Sequence, residues 1–369
     1  MSAALAALPA PARPEAGDTR PVAGHVGADV PVELLTAAGY RPLRLSGSPE
    51  EDASAGRRLL GGGLDPVAHS VLTRLLDGAY GPLDVLVVSR DCEASLRLFY
   101  VLRELRRVEP SVALPPVHLV DVLHLPHRTT TRYVLAKVRG LRTWLGERSG
   151  RPVGDDALAA AVVAHDRVRG LLRAVGDLRS ARRLTGTEFL RVVDAACALP
   201  PGRAAELLTT LVEELPTRDP RPGHPVHLTG SSHDGTSVYA ALESAGLLVV
   251  GEDHDRGDLL VSRDVGTPGH PAGLELALAE RYQANGPSAA RSSIAERATH
   301  TAARLHARGA AGLLGYVREH DDAPPWDWPA QRAAAGVPAA LLERQPYGRI
   351  DPEDLDRALA DLRRPADAA

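Results

Sequence analysis

Six short apolar runs recur along the chain, separated by stretches whose apolar residues have helical spacing. Each run has the length and composition of a strand that is buried on both faces of a parallel sheet. The runs are residues 85–88, 117–120, 226–229, 247–250, 312–315 and 339–342. This alternation predicts an α/β fold with parallel sheets flanked by helices.

The chain divides into three predicted parts. Residues 1–27 are rich in proline and alanine and are expected to form a flexible tail. Residues 28–215 are expected to form an N-terminal α/β domain that includes a long helical connector. A proline-rich segment then ends the connector, because proline cannot continue a helix, and residues 216–369 form a C-terminal α/β domain. A ligand crevice is expected between the two domains.

Charge and cysteine content exclude several classes of protein. The 43 Lys and Arg residues nearly balance the 47 Asp and Glu residues, so a nucleic acid or an anionic membrane is not an expected partner. The sequence has no apolar run long enough to span a membrane. Its two cysteines cannot form a disulfide framework, and a reducing cytoplasm is the expected location.

Candidate site residues follow the predicted strands, because ligands of parallel α/β sheets bind beyond the carboxyl ends of the strands. We expect seven residues to line the crevice: Ser89, Arg90, Gly230, Ser231, Ser232, Glu252 and Asp253. Helix capping is the alternative role for Ser231, Ser232 and Asp253. No glycine-rich phosphate loop and no serine-hydrolase motif is present.

Cys92 is the strongest single candidate for a ligand or a nucleophile. It comes directly after a predicted strand and before an amphipathic helix, where the helix dipole favours the thiolate form. The alternative is a small buried residue at the junction of strand and helix.

Five segments, in this order, resemble the 2-hydroxyacyl-CoA dehydratase family, which also includes benzoyl-CoA reductase subunits. They are VPVELLTAAGY at 30–40, DCE at 91–93, TGTEF at 185–189, GSSHD at 230–234, and ESAG at 243–246 leading to GED at 251–253. The resemblance covers about residues 28 to 360.

The resemblance implies a heterodimer subunit with two α/β domains and an acyl-CoA ligand. In the family, three cysteines at the crevice hold a [4Fe-4S] cluster, and an ATP-dependent activator supplies an electron. The corresponding positions here are Asp65, Cys92 and Asp321, so only one thiolate remains. Carboxylates are poor substitutes for thiolates on such a cluster. Helix capping before Pro66 and a turn position are the alternative roles of Asp65 and Asp321, respectively.

Three functional hypotheses therefore stay open. The first is a divergent dehydratase-like subunit that has lost the cluster, carries no cofactor as isolated, and acts as a scaffold or acyl-CoA-binding partner of a second dehydratase-like subunit. The second is an active dehydratase or reductase that holds iron through Cys92, Asp65 and Asp321, either as an atypical [4Fe-4S] cluster or as mononuclear iron. The third is a small-molecule binding module without catalysis.

Overall fold

The computed structural model describes residues 3–8, 18–267, 273–289 and 291–364, and it contains two parallel sheets flanked by helices. The strands of the described residues are β1 (Val22–Val26), β2 (Arg41–Arg44), β3 (Val85–Ser89), β4 (Val117–Val120), β5 (His224–Gly230), β6 (Leu247–Glu252), β7 (Gly312–Arg318) and β8 (Ala339–Gln345). The N-terminal sheet has the order β2-β1-β3-β4, and the C-terminal sheet has the order β6-β5-β7-β8. All six predicted strands are present, and the predicted fold class is confirmed.

Helices cover both faces of the sheets and form the connector between them. Those described are α1 (Ala3–Ala6), α2 (Val32–Ala37), α3 (Ser54–Leu60), α4 (Pro66–Leu76), α5 (Glu93–Val108), α6 (Arg128–Ser149), α7 (Asp155–Ser180), α8 (Gly186–Ala198), α9 (Pro201–Glu214), α10 (Ser237–Ser244), α11 (Leu274–Gln283), α12 (Ile294–Ala307), α13 (Pro324–Ala335) and α14 (Pro352–Leu362). Short 3₁₀ helices occupy Leu215–Thr217 and Asp258–Val261. Helices α6 to α9 account for the connector that the sequence predicts.

Strand β1 corrects the prediction of a flexible tail for the end of residues 1–27, of which residues 1–2 and 9–17 lie outside the described residues. It pairs in parallel with both β2 and β3, so it lies inside the N-terminal sheet. Its sequence, VAGHV, places glycine and histidine where a buried strand usually has branched apolar residues. Pairing on both edges supplies the stability that local propensity does not. Leu5 of α1 also packs into the core around α9 and is only 6% exposed.

The long helix α7 joins the two sheets through buried ion pairs. Near its middle, Arg169 pairs with Glu33 of α2, beside the N-terminal sheet. Near its end, Arg179 pairs with Glu252, the last residue of β6 in the C-terminal sheet. Each arginine is at least nine-tenths buried, and each has a second carboxylate partner, Asp166 for Arg169 and Asp258 for Arg179. Helix α7 therefore holds both sheets in a defined relation.

The order of the strands determines where a ligand can bind. In each sheet the chain begins at a central strand, and successive connections run to opposite sides of that strand. The loops that follow β1 and β3 therefore diverge and leave a gap at the carboxyl edge, as do the loops that follow β5 and β7. These are the loops that border the crevice described next.

Candidate functional site

A crevice of about 180 Å³ lies between the carboxyl edges of the two sheets. Loops after β1, β3, β5, β6 and β7 contribute to its lining, together with the end of β2 and the start of α4. Its charged and thiol-bearing lining residues are Arg44, Asp65, Asp91, Cys92, Asp234, Asp253, Asp255, Arg256, Arg291, Arg318 and Asp321. The crevice therefore combines many charged groups with apolar side chains and contains contributions from both halves of the chain.

The three residues that the resemblance assigns to the family's cysteine positions all line this crevice, although they are far apart in sequence. Asp65 precedes α4, Cys92 precedes α5, and Asp321 follows β7. Within the residues that the structure describes, however, no three histidine, cysteine or acidic side chains are placed to hold one metal ion. The fold brings the three residues to one space without arranging them as a ligand set.

The Asp65 carboxylate has hydrogen-bond partners in both halves of the chain. Its carboxylate caps α4 by accepting a hydrogen bond from the Val67 amide at 3.1 Å, so the capping role is confirmed. The same carboxylate accepts two hydrogen bonds from Arg318, from Nε at 3.1 Å and from Nη2 at 2.7 Å. Such a two-pronged pair is among the stronger polar contacts in proteins. It joins the N-terminal half of the chain to the C-terminal half across the crevice.

Arg318 also organises the surroundings of Asp321. Its Nη2 lies 4.0 Å from Asp321 Oδ2, and its Nη1 donates to the carbonyl oxygen of Ser232. Asp321 Oδ2 accepts a hydrogen bond from the Ser231 hydroxyl at 2.5 Å. Burial raises the pKa of Asp321 despite the nearby guanidinium. One buried arginine thus stands between the carboxylates of Asp65 and Asp321.

The surroundings of the Cys92 thiol favour its protonated form. The residue is exposed toward the crevice, yet burial of the thiol together with the neighbouring Asp91 raises its pKa to about 12. The Ser95 hydroxyl donates to Asp91 at 2.7 Å, which leaves its oxygen to accept from the Cys92 thiol at 3.2 Å. The expectation that the helix dipole favours thiolate is therefore wrong, because burial and Asp91 outweigh it.

Three of the seven predicted crevice residues line the crevice: Gly230, Ser232 and Asp253. Ser231 is buried behind the lining, where it supports Asp321. The prediction of Glu252 as a crevice residue is wrong, because its carboxylate is buried with Arg179.

The predicted positions of Ser89 and Arg90 also require correction. Ser89 is fully buried beneath Gly27, the residue directly after β1. Arg90 is turned to the outer surface, where it pairs with Asp121 at 3.2 Å. Alternation along the strand end explains the difference, since consecutive side chains point to opposite sides.

Sequence reasoning did not single out the arginines of the crevice. Arg44 and Arg318 end their strands and could have been found by their position, whereas Arg256 and Arg291 lie in loops without a recognisable pattern. Like Arg318, the other three have carboxylate partners. The pairs are Arg44 with Asp255 at 3.1 Å, Arg256 with Asp194 at 2.7 Å, and Arg291 with Asp29 at 2.9 Å.

His254 also lines the crevice, but its ring nitrogens are both occupied. Nδ1 accepts from the Arg256 amide at 3.3 Å, which assigns the proton to Nε2. Nε2 then donates to the Tyr239 hydroxyl at 2.7 Å, and that hydroxyl donates to Glu252 at 3.1 Å. Burial lowers the pKa of His254. The ring is therefore a neutral structural element of the crevice floor.

Two parallel sheets whose divergent loops face one shared crevice define the molecule as a two-part α/β protein with a crevice between its sheets. A scan against models of protein families matches residues 28–319 to the 2-hydroxyglutaryl-CoA dehydratase D-component family. The chain belongs to this family, which confirms the resemblance seen in the sequence. A search among curated proteins found no match. None of the described helices has the length and apolar character needed to cross a membrane.

Proposed function

We propose that this chain is a dehydratase-like subunit that binds an acyl-CoA ligand in its crevice and holds no iron–sulfur cluster of its own. The observation that carries the proposal is the ion pair between Arg318 and Asp65. It engages Asp65, which the resemblance assigns to one of the family's cluster positions, and Asp321, assigned to another, lies 4.0 Å from the same guanidinium.

The chemistry of the donors argues against a cluster at this place. Iron–sulfur clusters require thiolates, and this crevice offers one thiol that retains its proton. A metal bound to Asp65 would have to displace Arg318, whose side chain is only 6% exposed. Removing a partner from a buried ion pair costs about 3–5 kcal/mol. The guanidinium therefore competes directly with any cation at this position.

A subunit of this kind needs a partner for redox chemistry. We propose a second dehydratase-like subunit that carries the cluster, with an ATP-dependent activator acting on that partner in the cytoplasm. The present chain would contribute the acyl-CoA crevice and a scaffold. Family membership supports this arrangement, because members work with partner components.

Anaerobic reconstitution with iron and sulfide tests the absence of a cluster. We expect the natural chain to remain colourless and to retain neither stoichiometric iron nor acid-labile sulfide. The double variant Asp65→Cys with Asp321→Cys places three thiols at the family's positions and serves as the positive control. Cys92→Ser is the matched negative control.

The outcomes separate the hypotheses. Iron with labile sulfide in the natural chain, lost in Cys92→Ser, would overturn the proposal in favour of an atypical cluster held by Cys92, Asp65 and Asp321. Iron without sulfide, lost in the same variant, would favour a mononuclear site. Binding of acyl-CoA is measured separately by calorimetry, and the absence of any CoA thioester binding would contradict the ligand part of the proposal.

A further inference from the structure

A second cavity of about 90 Å³ lies beside the crevice, between strands β1 and β2 and the connector helices α7 and α8. Its wall is largely apolar. The main apolar lining residues are Val30, Pro42, Val168, Leu172, Leu199 and Val261. We call this cavity the side chamber.

The side chamber and the crevice are immediate neighbours. Gly27 and Arg44 line both spaces and therefore form part of the boundary between them. The Arg44 guanidinium is held on the crevice side, where it donates to the Asp255 carbonyl at 3.0 Å and to its carboxylate at 3.1 Å. A ligand that extends from the crevice into the side chamber would pass the Arg44 side chain.

The few polar groups of the side chamber are neutral or already paired. Burial lowers the pKa of His25 to about 3 and that of His165 to about 4, so both rings are uncharged at neutral pH. Arg169 is paired with Glu33. Arg281 donates to backbone carbonyl groups. The chamber thus offers no free charge to an ionic ligand.

His25 distinguishes the side chamber from an ordinary gap in the core. The residue is only 7% exposed, and its Nδ1 has no hydrogen-bond partner among the described residues. An unpaired buried polar atom destabilises a protein by about 1–3 kcal/mol, so such atoms are rare in well-packed cores. A water molecule that shares the chamber with an apolar ligand would supply a polar partner for this ring.

We propose that the side chamber receives the short aliphatic end of the acyl group, while the thioester end of the ligand lies in the crevice. This inference rests on the acyl-CoA ligand of the proposed function. The size of the chamber indicates the class of acyl group. An engineered protein cavity of about 150 Å³ holds benzene, so a chamber of about 90 Å³ suits a short aliphatic chain better than a phenyl ring.

Calorimetric titration with acetyl-CoA, butanoyl-CoA and benzoyl-CoA tests the inference. Acetyl-CoA has no chain to place in the chamber, whereas butanoyl-CoA adds two methylene groups. Burying these groups is expected to make butanoyl-CoA bind about tenfold more tightly than acetyl-CoA. Benzoyl-CoA should gain no comparable advantage in the natural chain.

Two variants change the chamber in opposite directions. Ala196→Leu places a larger side chain on the α8 wall and should abolish the butanoyl advantage while leaving acetyl-CoA binding unchanged. Leu172→Ala enlarges the chamber and should improve benzoyl-CoA binding. Ala160→Leu, on the exposed face of α7, is the control for the same substitution away from the chamber. Circular dichroism establishes that each variant is folded before titration.

The possible failures are distinguishable. If none of the three thioesters binds, the acyl-CoA part of the proposed function fails. If the thioesters bind with equal affinity, or if Ala196→Leu weakens acetyl-CoA and butanoyl-CoA equally, the acyl group does not enter the side chamber and this inference is overturned. The inference is supported if Ala196→Leu loses the butanoyl-CoA advantage and Leu172→Ala binds benzoyl-CoA more tightly than the natural chain does.

Discussion

Replacing Asp65 by asparagine tests whether the ion pair with Arg318 holds the two halves of the protein together. Asparagine caps a helix about as well as aspartate, so the cap of α4 should survive. The substitution instead removes the negative charge that accepts two hydrogen bonds from Arg318. It therefore separates the role in the ion pair from the role in the cap.

The expected loss of stability follows from the burial of the pair. Removing one partner of a fully buried ion pair costs about 3–5 kcal/mol. The Asp65 side chain is 19% exposed, and Asp321 remains 4.0 Å from the same guanidinium. Both features reduce the penalty, so we expect Asp65→Asn to lower the free energy of unfolding by about 2–3 kcal/mol.

Urea unfolding followed by circular dichroism measures this loss, and limited proteolysis reports whether the crevice opens. Asp351 provides a matched control, because it also caps a helix directly before a proline but has no ion-pair partner among the described residues. Asp351→Asn should change the free energy of unfolding by less than about 0.5 kcal/mol.

Equal effects of the two asparagine substitutions would refute the reasoning, since only one of them breaks an ion pair. A double-mutant cycle with Arg318→Met provides an independent check. The double variant should be more stable than the sum of the two single losses predicts, because much of the Asp65→Asn loss comes from the unpaired Arg318 charge, which the double variant no longer contains.

Three further predictions follow from other parts of the structure. The pKa of Cys92 is raised to about 12, so its thiol should react slowly with iodoacetamide. At pH 8, peptide mass spectrometry should show a rate on the order of 50-fold lower in the folded than in the urea-unfolded protein. Equal rates would contradict the protonated thiol. Burial alone would raise the pKa of Glu33, but Arg169 lowers it from its ordinary value of 4.5 to about 2. The ionised carboxylate therefore stabilises the fold above pH 4.5 by about 3 kcal/mol. This contribution is lost as the pH falls toward 2. Glu33→Gln should therefore flatten the decline of unfolding free energy between pH 5 and 3, and an unchanged acid profile would exclude Glu33 as its source. Gly27→Ala should lower the free energy of unfolding by about 2–4 kcal/mol, because a Cβ at this positive φ of 89° would collide with buried neighbours. Gly61 has a similar φ of 86° but open space around it, so Gly61→Ala should lower the same free energy by only about 1–2 kcal/mol. Thermal or urea unfolding measures both losses.

The sequence by itself determined the alternation of strand and helix and the family. Runs such as residues 85–88 and 247–250 are apolar throughout, and local composition is enough to recognise a strand that is buried on both faces. Strands β1 and β2 were not predicted, because their sequences, VAGHV and RPLR, have weak strand patterns. Their stability comes from neighbouring strands, which the local sequence does not reveal.

The candidate site was also predicted in part from the sequence, and the rest was decided only by the tertiary structure. Motif order predicted that Asp65, Cys92 and Asp321 would be brought together, and they do line one crevice. Only the tertiary structure placed Arg318 against Asp65. It also placed Asp91 and Ser95 beside the Cys92 thiol, where burial and Asp91 raise the pKa of the thiol. Ion pairing and protonation depend on burial and on distances through space between residues remote in sequence, and no local pattern encodes those distances.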